Sequence, residues 1–255
     1  MRFSANIGFL YTDLPLPERI RAAKADGFDA VECHFPYEVD PGEVKAAMDE
    51  TGLPMLGLNT QPGESFGYLA MPGQETEARA AIDEAVSYAA KIGAGAVHVM
   101  AGKSGGGTAA ERVYRENLRY ACDIAGAEGL TVLIEPINHR DAPGYHLYTV
   151  EHGAEIIGGL EAENLRLMFD CYHTQIMQGD LLTRLRAHLE VIGHVQIAAV
   201  PDRGEPERGE VHFVNLLQEL AAMGWTSPVG AEYKPRSGKV GDGISWLAAF
   251  RAALN

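Results

Sequence analysis

Cysteine is scarce in this chain: Cys33, Cys122 and Cys171 are the three among 255 residues, widely separated and without a CxxC spacing. That usage excludes a disulfide framework and a thiolate metal knuckle, and it predicts a reduced, cytoplasmic protein. Long apolar runs are missing too. No stretch approaches the ~20 residues that a membrane helix needs. The opening MRFSANIGFLYTDLPLPERI places one basic residue before a short apolar run and soon carries Asp13 and Glu18, a pattern unlike a secretory signal. Positive charge is in deficit, with 21 Lys plus Arg against 35 Asp plus Glu and a formal net charge of −14. Such a surface repels phosphate backbones and anionic lipid, so neither nucleic acid nor membrane is expected as a partner. A dinucleotide fingerprint is absent as well: the first apolar run passes into LYTDLPLPE, with no GxGxxG. The one glycine-rich tract, AGKSGGGT, has Lys103 in the wrong place for a phosphate-binding P-loop and reads as a flexible loop.

What the chain does have is a rhythm. Eight short apolar runs recur: SANIGFL, AVECHF, PMLGLNT, AVHVMAG, TVLIEPI, LRLMFDCYH, HVQIAAV and PVGAEYKP. Each has the length of a buried strand, and several are apolar at consecutive positions, as parallel strands covered on both faces are. Longer amphipathic segments lie between them, among them LPERIRAAKADG, ETEARAAIDEAVSYAAKIG, AERVYRENLRYACDIAGAEG and DLLTRLRAHLEVIG. Glycines 27, 52, 93, 129, 193 and 224 stand where left-handed helix ends are expected. No Pro/Ser linker interrupts the alternation. The pattern predicts an α/β protein, one (β/α)8 barrel spanning residues 1–255 as a single domain.

In such a barrel the chemistry gathers at the C-terminal strand ends. Four consecutive ends carry Glu135 in VLIEPI, Asp170 in RLMFD, Gln196 in HVQIA and Glu232 in VGAEY. Three carboxylates converging in a low-dielectric mouth repel one another unless protonated or offset by a cation. An all-oxygen set suits a hard divalent ion, Mg²⁺ or Mn²⁺, better than zinc. His173 leaves the same strand end as Asp170 and is expected to face the mouth, whereas His98 alone reads more readily as a hydrogen-bonded structural histidine. Glu32 and Asn59 hold equivalent ends on strands two and three, where lining the pocket and supporting the core are both open. Because a site of three carboxylates and one divalent ion is net negative, an anionic substrate needs another cation. Arg203, in VPDRGEPERGE, is the best shaped donor, with Lys103 and Lys234 as further ones. Trp225, Trp246 and most other aromatic residues read as core.

These stretches resemble the hydroxypyruvate isomerases of the xylose isomerase-like barrel superfamily. The likeness runs through FSANIGFLYTDLP, GFDAVECHFPY, NTQPGE, LIEPINHRDAPGYHL, FDCYHTQ, GHVQIAAVPDRGEPERGEVHF and GAEYKP, nearly the whole chain. NTQPGESFGYLAMPGQ and VHVMAG are similar to the 2-oxo-tetronate isomerase branch of the same family, and EPINHRDAPGYHL to hydroxypyruvate isomerase proper. The resemblance implies that Glu135 and Glu232 are an acid/base pair that also reaches the metal. Asp170 and Gln196 then complete the coordination, and His173 and Arg203 contact substrate. A carbonyl shift along a small hydroxy-oxo acid needs this equipment: proton removal beside the carbonyl, stabilisation of an enediolate, and reprotonation of the neighbouring carbon.

Three other activities compete with that expectation. A ketose 3-epimerase would use the same enediolate, though related epimerases have His where this chain has Gln196. An endonuclease-like member would need several more histidine ligands and a basic face, which the sequence lacks. A sugar-acid binding barrel has no use for two proton carriers.

Overall fold

The computed structural model describes residues 1–254. All eight apolar runs form strands, shorter than the runs because each run continues into a barrel-top loop. They are β1 (Phe3–Asn6), β2 (Ala30–Glu32), β3 (Leu58–Asn59), β4 (Ala96–His98), β5 (Thr131–Ile134), β6 (Leu165–Asp170), β7 (Ile192–Ile197) and β8 (Val229–Ala231). The helices are α1 (Leu16–Ala25), α2 (Pro41–Thr51), α3 (Glu75–Ile92), α4 (Thr108–Ala127), α5 (Val150–Leu160), α6 (Cys171–Met177), α7 (Leu181–His188), α8 (Phe213–Ala222), α9 (Val240–Gly243) and α10 (Ser245–Leu254).

Neighbouring strands pair in parallel in the order β2-β1-β8-β7-β6-β5-β4-β3. The sheet closes on itself through the segment entering β3. Val31 bridges Met55, the Val31 amide donates to the Pro54 carbonyl at 3.0 Å, and the Leu56 amide donates to the Val31 carbonyl at 2.8 Å. Closure removes the sheet edges and aims every strand end at one mouth, giving a (β/α)8 barrel.

Local chemistry sets the element ends. The Asp40 carboxylate accepts from the Gly42 amide at 2.8 Å to cap α2, Pro41 occupies the first turn, and Gly52 ends the helix at φ 69°. Gly93 closes α3 in the same left-handed way. Gly193 departs from its expected role as a cap. It is the second residue of β7, and a Cβ there would stand 2.6 Å from Arg166 Cβ, so the position is small because the Arg166 side chain crosses it. Trp246 of α10 is buried edge-on against Phe3 at 5.5 Å and Phe250 at 5.3 Å, sealing the barrel wall as expected of core. Trp225 lies past the end of α8 and is only partly buried against the core.

The barrel interior is not uniformly apolar. Below the mouth lies a cavity of about 290 Å³ bordered by Glu32, Arg166, His194 and Gln196 together with Ala96, Leu133 and Met168. Gly230 makes room for this polar layer, since a Cβ there would meet Glu32 Oε1 at 2.7 Å and Gln196 Cγ at 2.8 Å.

Candidate active site

A second cavity, about 420 Å³, opens at the C-terminal ends of the strands, and its lining includes Glu135, His173, Arg203 and Glu232. Glu135 and Glu232 immediately follow β5 and β8, and Asp170 ends β6. Asp170 divides its carboxylate between two tasks. Oδ1 accepts from the Tyr172 amide at 2.7 Å and caps α6, while Oδ2 is left toward His173 and Arg203. The strand end and the helix start thus hold the side chain from both sides.

The two glutamates have the same side chain and opposite surroundings. Glu232 accepts from three donors: Asn6 Nδ2 at 3.1 Å and His34 Nε2 at 2.8 Å on Oε1, and Arg203 Nη2 at 2.5 Å on Oε2. Burial by itself would push its pKa up, but the Arg203 guanidinium and then His34 outweigh burial and hold it well below the ordinary carboxylate range. Glu135 has no hydrogen-bond donor on Oε1, and its neighbours stand off, with His98 Nδ1 at 3.7 Å and His173 Nε2 at 3.8 Å. Burial, with the nearby Glu232 and Asp170 charges adding to it, raises its pKa well above the ordinary value. Asp170 is pushed up to about 7, burial outweighing the pull of Arg203. One carboxyl poised to hold a proton and one to lack it is the division that acid/base chemistry uses.

His173 enters the mouth with its tautomer fixed from behind. Asn138 Oδ1 accepts from the Asp141 amide at 2.8 Å and its Nδ2 donates to Asp141 Oδ2 at 3.2 Å, which sets the amide's orientation. The same Nδ2 lies 2.6 Å from His173 Nδ1, which therefore accepts. The ring proton sits on Nε2, facing Glu135 and Asp170. His173 thus turns an N–H toward Glu135 and Asp170, and burial, with the Arg203 charge adding to it, keeps it from gaining a second proton.

Glu135, Asp170 and His173 place donor atoms within 4.8 Å of one another. With Nε2 protonated, the groups left to hold a cation are oxygens. Gln196, in register with Asp170 on the neighbouring strand and bordering the cavity below the mouth, adds a further one from beneath: its Nε2 donates to Glu32 Oε1 at 2.9 Å, and its buried Oε1 has no partner. Glu232 Oε2 meets one donor and retains a lone pair. Two unpartnered buried oxygens among carboxylates fit a hard divalent ion.

The remaining expected residues fall into three groups. Asn59 and His98 border both cavities, and neither ring nitrogen of His98 has a hydrogen-bond partner. Glu32 lies deeper, bound by His194 Nε2 at 2.6 Å, Gln196 at 2.9 Å, Ser4 Oγ at 3.2 Å and Asn6 at 3.3 Å, so it supports the mouth from below. Lys103 stands outside the mouth, its ammonium 5.3 Å from the ring of Phe66, and Phe66 rather than Lys103 lines the cavity. Lys234 does line it, 5.1 Å from the Phe9 ring.

Arg203 lies between Phe9 and Tyr172, at 5.1 and 4.9 Å from their ring centres, and it is paired with Glu232 and, at 3.4 Å, with Asp170. Its backbone is left-handed at φ 56°, and the Lys234 amide donates to its carbonyl at 2.8 Å. Asn6, His34, Asn138 and Asp141 were not among the sequence candidates. Applying the strand-end rule to β1 would have found Asn6, and His34 stands two residues beyond Glu32.

A (β/α)8 barrel with buried carboxylates converging at the strand ends defines the class. The chain belongs to the xylose isomerase-like TIM barrel family, whose model matches residues 20–250. It is 41% identical to a 2-oxo-tetronate isomerase of Cupriavidus necator over 256 residues, 98% of each chain. It is 34% identical to the hydroxypyruvate isomerase of Escherichia coli, over 98% of this chain and 100% of that one. Among solved structures, one described as an AP endonuclease, family 2, from Brucella melitensis superposes with a TM-score of 0.91. The two are 35% identical over 97% of this chain and 98% of that one.

Proposed function

We propose that this chain is a metal-assisted aldose–ketose isomerase that interconverts hydroxypyruvate and tartronate semialdehyde, working as one domain in the cytoplasm, where its three buried free thiols stay reduced. The relatives identify an intramolecular oxidoreductase of the hydroxypyruvate isomerase kind. The observation that carries the chemistry is the pair of buried glutamates in one cavity, Glu232 held by Asn6, His34 and Arg203 and Glu135 without a donor on Oε1.

Glu232, kept ionised by Arg203 and His34, takes a proton from the CH₂OH carbon beside the ketone. Glu135, which has few donors of its own, delivers a proton to the former ketone carbon, and the proton left on Glu232 returns to Glu135 by exchange with water before the next turnover. The hydroxyl hydrogen moves between the two substrate oxygens, and His173 Nε2–H donates to one of them as negative charge grows there. Glu135, Asp170, Gln196 and Glu232 would hold Mg²⁺ or Mn²⁺, which supplies positive charge to polarise the carbonyl and stabilise the enediolate. Arg203 and Lys234 face the substrate carboxylate.

A 2-oxo-tetronate carries the same reacting group on a chain one carbon longer, and the Cupriavidus relative favours it as the second reading. The deciding experiment incubates metal-loaded protein with hydroxypyruvate, 2-oxo-tetronates and free ketoses and identifies products by NMR. Conversion of hydroxypyruvate to tartronate semialdehyde is expected. Turnover of ketoses alone would make the protein an epimerase, and binding without turnover of any substrate would make it a sugar-acid binding barrel.

A further inference from the structure

Among the described residues a second group of metal-capable side chains converges away from the barrel mouth. Glu111 lies in the first turn of α4, His146 in the loop after β5, and His152 in the first turn of α5. His146 Nε2 and His152 Nε2 both point at Glu111 Oε2, at 2.9 and 3.0 Å, and the three donor atoms lie within 4.8 Å of one another. The two Nε2–Oε2 separations approach the ~3.3 Å edge of a tetrahedron whose bonds are 2.0–2.1 Å long.

The surroundings orient each donor. Arg115 Nε occupies the other carboxylate oxygen, Glu111 Oε1, at 2.6 Å, leaving Oε2 to the histidines. Ser104 Oγ lies 3.0 Å from His146 Nδ1 and already accepts from the Gly106 amide at 3.2 Å. As acceptor of a proton on Nδ1 it frees the Nε2 lone pair, the outer-shell arrangement that metal-bound histidines use. Glu111, His146 and His152 all border a surface cavity of about 830 Å³ that also includes Thr108 and Tyr148, so a fourth position is accessible.

We infer that Glu111, His146 and His152 form a binding site for a Zn²⁺-class ion, separate from the barrel mouth, with water or a small anion as fourth ligand. Two imidazoles and one carboxylate with an open position match Zn²⁺, and unlike the oxygen-rich mouth they do not match Mg²⁺. Binding replaces the protons otherwise shared between the two Nε2 atoms and Oε2. It also joins three segments: the glycine-rich loop after β4 with the first turn of α4 that it leads into, the loop after β5, and α5. The backbone already links the first two, through Gly105 N to Gly144 O at 3.0 Å and His146 N to Gly102 O at 2.9 Å.

The test uses full-length protein stripped of metal and reloaded with Zn²⁺ or Co²⁺. Elemental analysis should find one more equivalent of Zn²⁺ in the wild type than in His152→Ala or Glu111→Gln. The Co²⁺ form should show the intense visible bands of four-coordinate cobalt, absent in both variants and kept in Glu135→Gln. Isomerase turnover in Mg²⁺ should be unchanged in His152→Ala. Glu111→Gln keeps the side-chain shape, and circular dichroism verifies that both variants fold. Equal Zn²⁺ content in wild type and folded variants, or cobalt bands that vanish only with Glu135→Gln, would overturn the site and leave a proton-held ion cluster.

Discussion

Arg203 is the residue whose removal separates two roles that the geometry combines. Its Nη2 lies 2.5 Å from Glu232 Oε2, it is largely buried, and its guanidinium is sandwiched between two aromatic rings. Unit charges about 4 Å apart at an effective dielectric near 20 attract by about 4 kcal/mol. At about 1.36 kcal/mol per pH unit, that would move a carboxyl pKa by about three pH units. Asn6 and His34 remain on Oε1 after Arg203→Ala, so what is lost is the Arg203 contribution alone. A base works only when ionised. The wild-type fall of kcat/KM on its acid side, where set by Glu232, therefore lies below the ordinary carboxylate range, and in Arg203→Ala it should move up by as much as about three pH units. Loss of a charged hydrogen bond to the substrate carboxylate adds about 1.5–3 kcal/mol, a ten-fold or greater rise in KM for hydroxypyruvate.

The assay is steady-state isomerisation across pH at saturating Mg²⁺, for wild type, Arg203→Ala and Arg203→Lys, with thermal melts to verify folding. Lysine should restore only part of either effect, because it lacks the planar fork. A neutral ketose, if turned over, should show the displaced acid limb without the KM rise. An unmoved acid limb would refute the assignment of Arg203 as the group that keeps Glu232 ionised. Equal KM losses for charged and neutral substrates would shift the carboxylate contact to Lys234.

Glu135→Gln and Glu232→Gln should each lower turnover at least ~100-fold with the fold intact, and wild-type turnover in either would make that residue structural. Chelation should abolish activity and Mg²⁺ or Mn²⁺ should restore it without a change in circular dichroism; full turnover by protein shown metal-free by elemental analysis would end the metal proposal. The buried Glu32–His194 pair gives a pH-dependent stability. Burial disfavours the imidazolium, but Glu32 outweighs it and raises the His194 pKa above its unfolded value of about 6.5. The stabilisation is therefore complete below pH ~6.5 and is lost as pH rises through the higher folded value. Urea unfolding from about pH 6 to 9 should show a steeper fall for wild type than for His194→Gln, and superimposable slopes would mean the pair is uncharged.

Much of this was legible along the chain because it is local. Strand-length apolar runs followed by amphipathic segments specify β/α units, and eight of them with no linker specify a closed barrel. Side chains at strand ends inherit their placement from the strands, so the strand-end positions of Glu135, Asp170, Gln196 and Glu232 could be read along the chain. Gly193 shows where the local reading fails: its small size serves the Arg166 side chain from another strand, and no pattern around residue 193 encodes that contact.

The tertiary structure decided which proton sits where. Glu135 and Glu232 are indistinguishable as residue types, and the contrast between them arises because barrel closure brings Asn6, His34 and Arg203 onto one and leaves the other without donors. Asn138 and Asp141 fix the His173 tautomer across a gap of 35 residues, and Glu111 meets His146 and His152 from a different helix. Proton affinity depends on desolvation and on charges within a few ångströms, and those distances are set by how the β/α units pack, which the order of residues along one unit does not contain.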